Sequence, residues 1–219
     1  VYLTFYLLKN EGSQHEESDM KIVIIGASGT VGRAVAEELS QRHETIRVGR
    51  TQGDRQVDIT SQASVQALFE KIGPVDAIVS ATGGVHFGPL ATMTDGEFNQ
   101  GLQDKLLGQV RLALTGQHYL NEGGSITLIS GIVAHEPIAQ GVNATTVNAA
   151  LEGFVRAAAC ELPRGIRINL ISPTVLTESA EAYDGFFPGF ESVPAASVAQ
   201  AYRRSVEGVQ SGRVYKVGY

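Results

Sequence analysis

Three glycines, Gly26, Gly29 and Gly32, are the residues whose spacing points most directly to a chemistry. They separate the hydrophobic run 21–25 from a segment with apolar residues four apart, which predicts a buried strand, a tight turn and a helix. Such a turn lets a diphosphate approach the backbone, where the first N–H groups of the helix and the helix dipole attract it. The pattern therefore predicts dinucleotide binding, and the alternative is a tight turn that binds nothing.

The strand predicted at 45–49 ends beside the residues that select the cofactor in a dinucleotide fold. Arg50 and Thr51 follow it directly, and the first carboxylate, Asp54, comes only after Gly53. A carboxylate at this place binds the 2′-hydroxyl of NAD, whereas an arginine can pair with the 2′-phosphate of NADP. The sequence therefore favours NADP(H) over NAD(H), unless Arg50 is an ordinary solvated loop charge.

Strand and helix patterns alternate along the rest of the chain. Thr60 is the predicted cap of the next helix, and Thr94 and Glu97 form a predicted capping box at the one after it. Further strands are predicted at 57–59, 75–81, 125–130, 166–171 and 214–217, with helices at 61–72, 94–120, 144–162 and 194–208. This order predicts one α/β domain with a doubly wound parallel sheet of about seven strands and helices on both faces, a Rossmann-type fold.

Composition narrows the classes of partner. The chain has 219 residues, 18% of them charged, and a net charge of −6 without a basic cluster, so neither nucleic acid nor an anionic membrane is expected. The single cysteine, Cys160, offers no disulfide and no metal cluster, which is typical of the reducing cytoplasm. Residues 1–19 are predicted to be an N-terminal extension to the domain 20–219, either foreign to it or an arm that adds to a neighbouring subunit.

Six short pieces of the sequence, taken in order, resemble the short-chain dehydrogenase/reductase superfamily. They are 26–32 (GASGTVG), 57–59 (VDI), 80–83 (SATG), 124–130 (GSITLIS), 166–173 (IRINLISP) and 211–214 (SGRV). The resemblance implies a Rossmann-type fold, bound NAD(P)(H), and hydride transfer to or from a small carbonyl or alcohol. It also implies a homodimer or homotetramer joined through the two long helices.

The predicted cofactor site follows the carboxyl ends of the strands. Glycines at the strand end 82–84 again indicate backbone close to a ligand, and Asp58 is placed to accept a hydrogen bond from the adenine amino group. Together with the resemblance, these patterns predict contacts from Gly26, Ser28, Gly29, Thr30, Val31, Gly32, Arg50, Thr51, Asp58, Ile59, Ala81, Thr82, Gly83, Asn148, Pro173, Thr174 and Val175.

The catalytic residues implied by the resemblance are absent from their expected places. The superfamily uses a tyrosine as general acid/base, a lysine four residues later, a serine that binds the reacting oxygen and an asparagine in a proton relay. In that order, the corresponding places in this chain hold Ala144, Asn148, Gly131 and Lys105. General acid/base catalysis contributes roughly a hundred- to ten-thousand-fold, and neither alanine nor glycine has a proton to donate. An active enzyme therefore needs another donor.

Lys105 and His135 are the candidates for that donor. Burial would lower the pKa of Lys105 towards neutrality, and His135 belongs to the residue type that titrates near neutral pH. His86 and Tyr183 are further titratable residues of this region. The ordinary alternative for the two histidines and for Lys105 is a solvent-exposed side chain.

Two functions follow from these observations. The first is an NADP(H)-dependent oxidoreductase with a non-standard proton donor, acting on a small molecule under an aromatic loop that contains Tyr183, Phe186, Phe187 and Phe190. The alternative for that loop is packing on the body of the domain. The second function is a non-catalytic NADP(H)-binding redox sensor or scaffold.

Overall fold

The computed structural model describes residues 19–183 and 185–219. The predicted N-terminal extension therefore lies outside the described residues, apart from Asp19. The carboxylate of Asp19 accepts a hydrogen bond of 2.8 Å from the N–H of Glu44.

Seven parallel strands form one sheet in the described part of the chain, with the order β3-β2-β1-β4-β5-β6-β7. Their bounds are β1 (Lys21–Ile25), β2 (Glu44–Gly49), β3 (Arg55–Gln56), β4 (Val75–Ser80), β5 (Leu120–Ile129), β6 (Arg167–Pro173) and β7 (Val214–Val217). The order reverses between β1 and β4, so the carboxyl ends of these two strands border a crevice. The predicted doubly wound sheet is confirmed.

Helices cover both faces of this sheet because its strands are apolar on both faces. Their bounds are α1 (Thr30–Leu39), α2 (Gln62–Ile72), α3 (Asp95–Gly101), α4 (Leu107–Gly116), α5 (Val142–Ala158) and α6 (Ala195–Glu207). Helices α1 and α6 share one core cluster, and α2, α4 and α5 share the cluster on the opposite face. No helix within residues 19–183 and 185–219 is long and apolar enough to cross a membrane.

The strand predicted at 57–59 is wrong, because β3 lies two residues earlier and pairs with Val48 and Gly49. The chain leaves the sheet at Asp58, whose N–H donates to the Ser64 hydroxyl at 2.9 Å. The predicted cap Thr60 is also corrected to Ser61, whose hydroxyl accepts from the N–H of Ser64. The hydroxyl of Thr60 instead donates to Asp58 at 2.7 Å.

The long helix predicted at 94–120 is interrupted in the structure. It begins with the predicted capping box of Thr94 and Glu97, but one π-helical turn, Leu102–Leu106, separates α3 from α4. The carboxamide of Gln109 donates to the carbonyl of Lys105 at 3.1 Å and also bonds both backbone groups of Ile129 at 2.8 Å. This side chain ties the widened turn to the end of β5. Single π turns are often found at functional sites.

Tyr202 on α6 is the largest of the fully buried side chains and connects the helix layer to the sheet. Its hydroxyl donates to the carbonyl oxygen of Ser80, the last residue of β4, at 2.7 Å. Burial raises the pKa of this phenol well above its ordinary value. The phenol therefore keeps the proton of this hydrogen bond at neutral pH.

We expect Tyr202→Phe to lower the free energy of unfolding by about 1 kcal/mol, because it leaves the Ser80 carbonyl without this partner. Urea unfolding measures the change. Tyr119→Phe is the matched control: it loses a hydrogen bond from Gln66 but keeps the ring stacked on Phe69. Since that bond is only partly buried, we expect about half a kcal/mol or less. Equal losses in both variants would contradict the special role of Tyr202.

Candidate functional site

Two adjacent cavities of about 280 Å³ each open at the carboxyl ends of the strands. The glycine-turn cavity is lined by Gly26, Ser28, Arg50, Asp58, Thr82 and Asp104, among others. The Lys105 cavity is lined by Gly83, Lys105, Ser130, Gly131, Ala144 and Asn148, among others. They are neighbours, because consecutive residues such as Asp104 and Lys105 line one cavity each.

The structure brings most of the predicted cofactor residues to these two cavities. Those in the glycine-turn cavity are Gly26, Ser28, Gly29, Arg50, Asp58, Ile59, Ala81 and Thr82. Those in the Lys105 cavity are Val31, Gly83, Asn148, Pro173, Thr174 and Val175. Among the predicted residues, those that line neither cavity are Thr30, Gly32 and Thr51.

Close backbone packing shapes the turn between β1 and α1. Gly26 has a φ of +85°, in the left-handed region that favours glycine, and a Cβ there would lie 2.6 Å from the Ala81 carbonyl oxygen. A Cβ on Gly32 would lie only 1.9 Å from the carbonyl oxygen of Gly26. Both positions therefore need glycine, and together they bring the start of α1 against the end of β1.

The beginning of α1 fits a bound diphosphate. The N–H groups of Thr30, Val31 and Gly32 have no acceptor among the residues that the structure describes. Gly29 is the N-cap and donates its own N–H back to Gly26 at 3.1 Å. Open donors at the positive end of a ten-residue helix attract an anion.

Arg50 and Asp58 both line the glycine-turn cavity. The Thr60 hydroxyl and N–H bond one oxygen of Asp58 and lower the pKa of this carboxyl, and the charge of Arg50 lowers it further. Arg50 thus presents a cation to the cavity close to an ionised acceptor. A phosphorylated ribose and an adenine amino group are suited to such a pair.

Lys105 is buried in the π-helical turn, with 8% of its surface exposed. Its side chain runs along Gly83, where a Cβ would lie 2.8 Å from Lys105 Cδ. Burial lowers the pKa of the ammonium group to about 8, and the charge of Asp104 partly opposes this shift. No hydrogen bond or ion pair to Nζ is made by the described residues.

Asn148 carries a second unsatisfied polar atom in the Lys105 cavity. Its amide donates to the carbonyl of Ala144 at 2.8 Å, whereas its Oδ1 is buried and has no partner among the described residues. Neighbouring Gly131 and Ala144 contribute no polar side chain, and the Ser130 hydroxyl donates to the backbone of Asn148 at 3.3 Å. A ligand hydroxyl would satisfy Asn148 Oδ1.

The chain matches a family model described as enoyl-(acyl carrier protein) reductase over residues 13–210. Protein lin1944 from Listeria innocua is 49% identical to this chain, with a TM-score of 0.89. The match covers 90% of this chain and 99% of that protein. A small-chain dehydrogenase in complex with NADPH is 26% identical to this chain, with a TM-score of 0.81. The match covers 91% of this chain and 96% of that dehydrogenase. The short-chain reductase protein NovJ of Streptomyces niveus is 28% identical over 69% of this chain and 67% of its own length.

This chain belongs to the short-chain dehydrogenase/reductase superfamily. The relatives and solved structures that it resembles are oxidoreductases of this superfamily, which supports an NAD(P)-dependent activity. The match of 13–210 includes both cavities, the glycine turn and the interrupted α3–α4 segment. The places that the resemblance assigns to the superfamily's catalytic groups lie together in the wall of the Lys105 cavity, where this chain carries Lys105, Gly131, Ala144 and Asn148.

His135 is held away from the residues that line the Lys105 cavity. Its Nε2 lies 2.6 Å from Oε1 of the buried Glu152, one helical turn beyond Asn148 on α5, and its ring lies 6.4 Å from that of Tyr219. Arg156 forms a second ion pair with Glu152 at 3.7 Å. Of the two predicted proton donors, the structure therefore places Lys105, and not His135, among the residues that line the cavity.

Apolar side chains close the other side of the Lys105 cavity. Tyr183 and Phe187 of the predicted aromatic loop line it, and Phe187 packs edge-on against Phe190 with ring centroids 5.3 Å apart. Phe186 instead packs near Phe87, a cavity residue from the segment after β4. The aromatic loop thus borders the cavity, and its role as a lid stays a prediction.

Several lining residues escaped the sequence analysis. Phe87 and Val85 lie in a segment without strand or helix periodicity, so their burial left no pattern. Ile132 and Val133 were part of an irregular segment that turns out to contain a short 3₁₀ helix. Asp104 was hidden inside a predicted continuous helix. The polar pair Asp104–Lys105 within that helix was the one signal that could have marked an inward-facing turn.

We expect Gly32→Ala to lower the free energy of unfolding by about 2 kcal/mol or more, because its Cβ would overlap the Gly26 carbonyl. NADPH binding should fall in the same variant, because α1 must move away from the turn. Gly153→Ala on α5 is the matched control, since its Cβ would have nothing within 4 Å. That change should raise stability by up to about 1 kcal/mol. A stable Gly32→Ala protein with normal NADPH binding would refute this account of the turn.

Proposed function

We propose that the chain is an NADP(H)-dependent oxidoreductase that interconverts a small carbonyl compound and its alcohol, with Lys105 as the non-standard proton donor. The observation that carries the proposal is the placement of a buried, unpartnered lysine in a cavity directly beside an anion-binding glycine turn. His135 is less suited to the role, because Glu152 binds its Nε2 and its side chain does not line the cavity.

Each part of the proposed cofactor has suitable residues. The open N–H groups of α1 would bind the diphosphate, Arg50 the 2′-phosphate and Asp58 the adenine amino group. Asn148 Oδ1 would accept a hydrogen bond from a hydroxyl of the nicotinamide ribose, which accounts for an otherwise unsatisfied buried atom. The small-chain dehydrogenase complex with NADPH supports this choice of cofactor.

The bound cofactor would supply or accept the hydride, and the chain must then handle one proton. Lys105 Nζ would donate that proton to the carbonyl oxygen in the direction of reduction and accept it in the direction of oxidation. A pKa of about 8 keeps much of this group protonated at neutral pH while leaving it a far better acid than an ordinary lysine. The apolar wall with Phe87 and Phe187 would exclude water from the reacting atoms.

The proposal includes a cytoplasmic homodimer or homotetramer. A groove between α4 and α5 supports an interface along these helices, since most of its lining residues are small or apolar, such as Ala113 and Ala157, with Gln117 and Glu161 as the polar ones. Leu114, which also lines it, is 54% exposed. Such a side chain gains most from burial against a second copy.

A non-catalytic redox sensor or scaffold is the second candidate function. The observation in its favour is the pair Gly131 and Ala144, which give the Lys105 cavity two positions without a polar side chain. A sensor must bind its partner with different affinity in the two cofactor states. Tight NADPH binding without turnover of any aldehyde, ketone or quinone in a broad panel would favour this candidate over the enzyme.

We expect Arg50→Gln to weaken NADPH binding about ten- to hundredfold while changing NADH binding less than about twofold. The reason is the loss of a charge-assisted bond that only the 2′-phosphate can make. Isothermal titration with both cofactors measures the selectivity. Arg55→Gln removes a nearby exposed arginine outside the glycine-turn cavity and should leave both affinities unchanged. An equal loss for NADPH and NADH in Arg50→Gln would contradict the proposed selection.

We expect Lys105→Met to lower the rate of carbonyl reduction about a hundred- to ten-thousand-fold with little change in the NADPH dissociation constant. In the unmodified protein, reduction should slow as the pH rises through about 8, because the ammonium form is the acid, and oxidation should accelerate over the same range. Stopped-flow measurement of single hydride transfers gives both profiles. Tyr183→Phe removes the other titratable group of this cavity among the described residues. Retention of the pH profile in Lys105→Met, or its loss in Tyr183→Phe, would exclude Lys105 as the donor.

A further inference from the structure

Lys105 is a cation without a counter-ion in the Lys105 cavity. None of the other described residues that line this cavity carries a formal charge at neutral pH. The charge that acts on Lys105 belongs to Asp104, which precedes it in the chain and lines the other cavity. A buried cation is costly unless an anion pairs with it, so the missing anion is expected to arrive with a ligand.

The cofactor diphosphate is poorly placed to be that anion. The glycines that would hold it belong to the turn between β1 and α1, and Gly26, Ser28 and Gly29 line the glycine-turn cavity. Of the residues with open N–H groups, Thr30 and Gly32 do not line the Lys105 cavity, and Val31 does. Lys105 instead lines the cavity that contains the apolar and aromatic side chains. The ligand that reaches its charge is therefore the one that occupies this second cavity.

The walls of the Lys105 cavity define the remainder of that ligand. Val85, Phe87, Ile132, Val133 and Phe187 present apolar surface, and Gly131 and Ala144 leave space next to them. A branched or aromatic side chain of the ligand would pack against this surface. Lys105, the charged group of the cavity, would face the other end of the ligand.

We propose that the substrate is an apolar 2-oxo acid, whose carboxylate and reacting carbonyl both contact Lys105. This inference rests on the proposed function, in which Lys105 Nζ gives its proton to the reacting oxygen. Because the same nitrogen must also pair with the negative charge, the carboxylate has to lie next to the carbonyl. An ammonium group has three N–H donors and can bond both oxygens at once.

The reaction balances without a further reagent. The hydride of the reduced cofactor is added to the carbonyl carbon, and the cofactor is thereby oxidised. One proton moves from Lys105 Nζ to the carbonyl oxygen, and the resulting amine takes a proton from water. The product is the 2-hydroxy acid, whose carboxylate is unchanged.

The test compares phenylpyruvate with its methyl ester as ligands of the protein saturated with NADP⁺, by isothermal titration calorimetry. We expect phenylpyruvate to bind about ten- to hundredfold more tightly, which is the range of a hydrogen-bonded charge pair. Lys105→Met should bind acid and ester equally. Lys105→Arg should keep the preference for the acid and lose turnover, because a guanidinium group stays protonated. Lys71→Met, which removes an exposed lysine on α2, should keep both preference and turnover.

Three results would overturn the proposal. Equal affinity for acid and ester in the unmodified protein, while NADPH binds, refutes the substrate class and leaves the proposed function standing. A tenfold loss of NADP⁺ affinity in Lys105→Met assigns the charge to the cofactor instead. Failure of the unmodified protein to bind NADP⁺ or NADPH refutes the proposed function itself, and the substrate class fails with it.

Discussion

The approach of α1 to the end of β1 is the physical constraint on which the other features of the site depend. A Cβ at position 32 would overlap the carbonyl oxygen of Gly26. A Cβ at position 26 would likewise lie too close to the backbone of Ala81. This packing holds the first N–H groups of α1 at the edge of the sheet, where β1 and β4 end side by side. The glycine-turn cavity lies where the end of β1, the start of α1 and the residues after β4 approach one another closely, with glycines rather than larger side chains at the contacts.

Lys105 depends on a second and less common device. In a regular α-helix from Asp95 to Gly116, the side chain of residue 105 would point in a different direction around the helix axis. The reason is that the extra residue of a π-helical turn changes the direction of the side chains that follow. The π-helical turn places this lysine against Gly83, and Gln109 holds the turn to the end of β5. Burial then gives the ammonium group an acidity that it would not have on the surface.

The two cavities combine ordinary binding groups with an unusual distribution of polar atoms. Gly131 and Ala144 carry no proton donor, whereas Lys105 is a buried residue whose Nζ makes no hydrogen bond or ion pair with the described residues, and Asn148 Oδ1 is buried without a partner among them. Buried polar groups rarely stay unsatisfied in a native protein. Lys105 and Asn148 line one cavity, and it is on these two residues, in the turn before α4 and on α5, that the proposed ligand contacts depend.

The sequence by itself determined the parallel sheet, the glycine turn and the capping box at Thr94, and most of the residues that it predicts for the cofactor line the two cavities. These features are local: hydrophobic periodicity, glycine spacing and cap residues act over a few positions and are readable without a partner. Only the tertiary structure decided that Lys105 lines the cavity, that His135 binds Glu152, and that β3 ends before Val57. Those outcomes depend on contacts between residues distant in the chain, such as Gln109 with Ile129. The spacing of residue types along the sequence does not reveal such contacts.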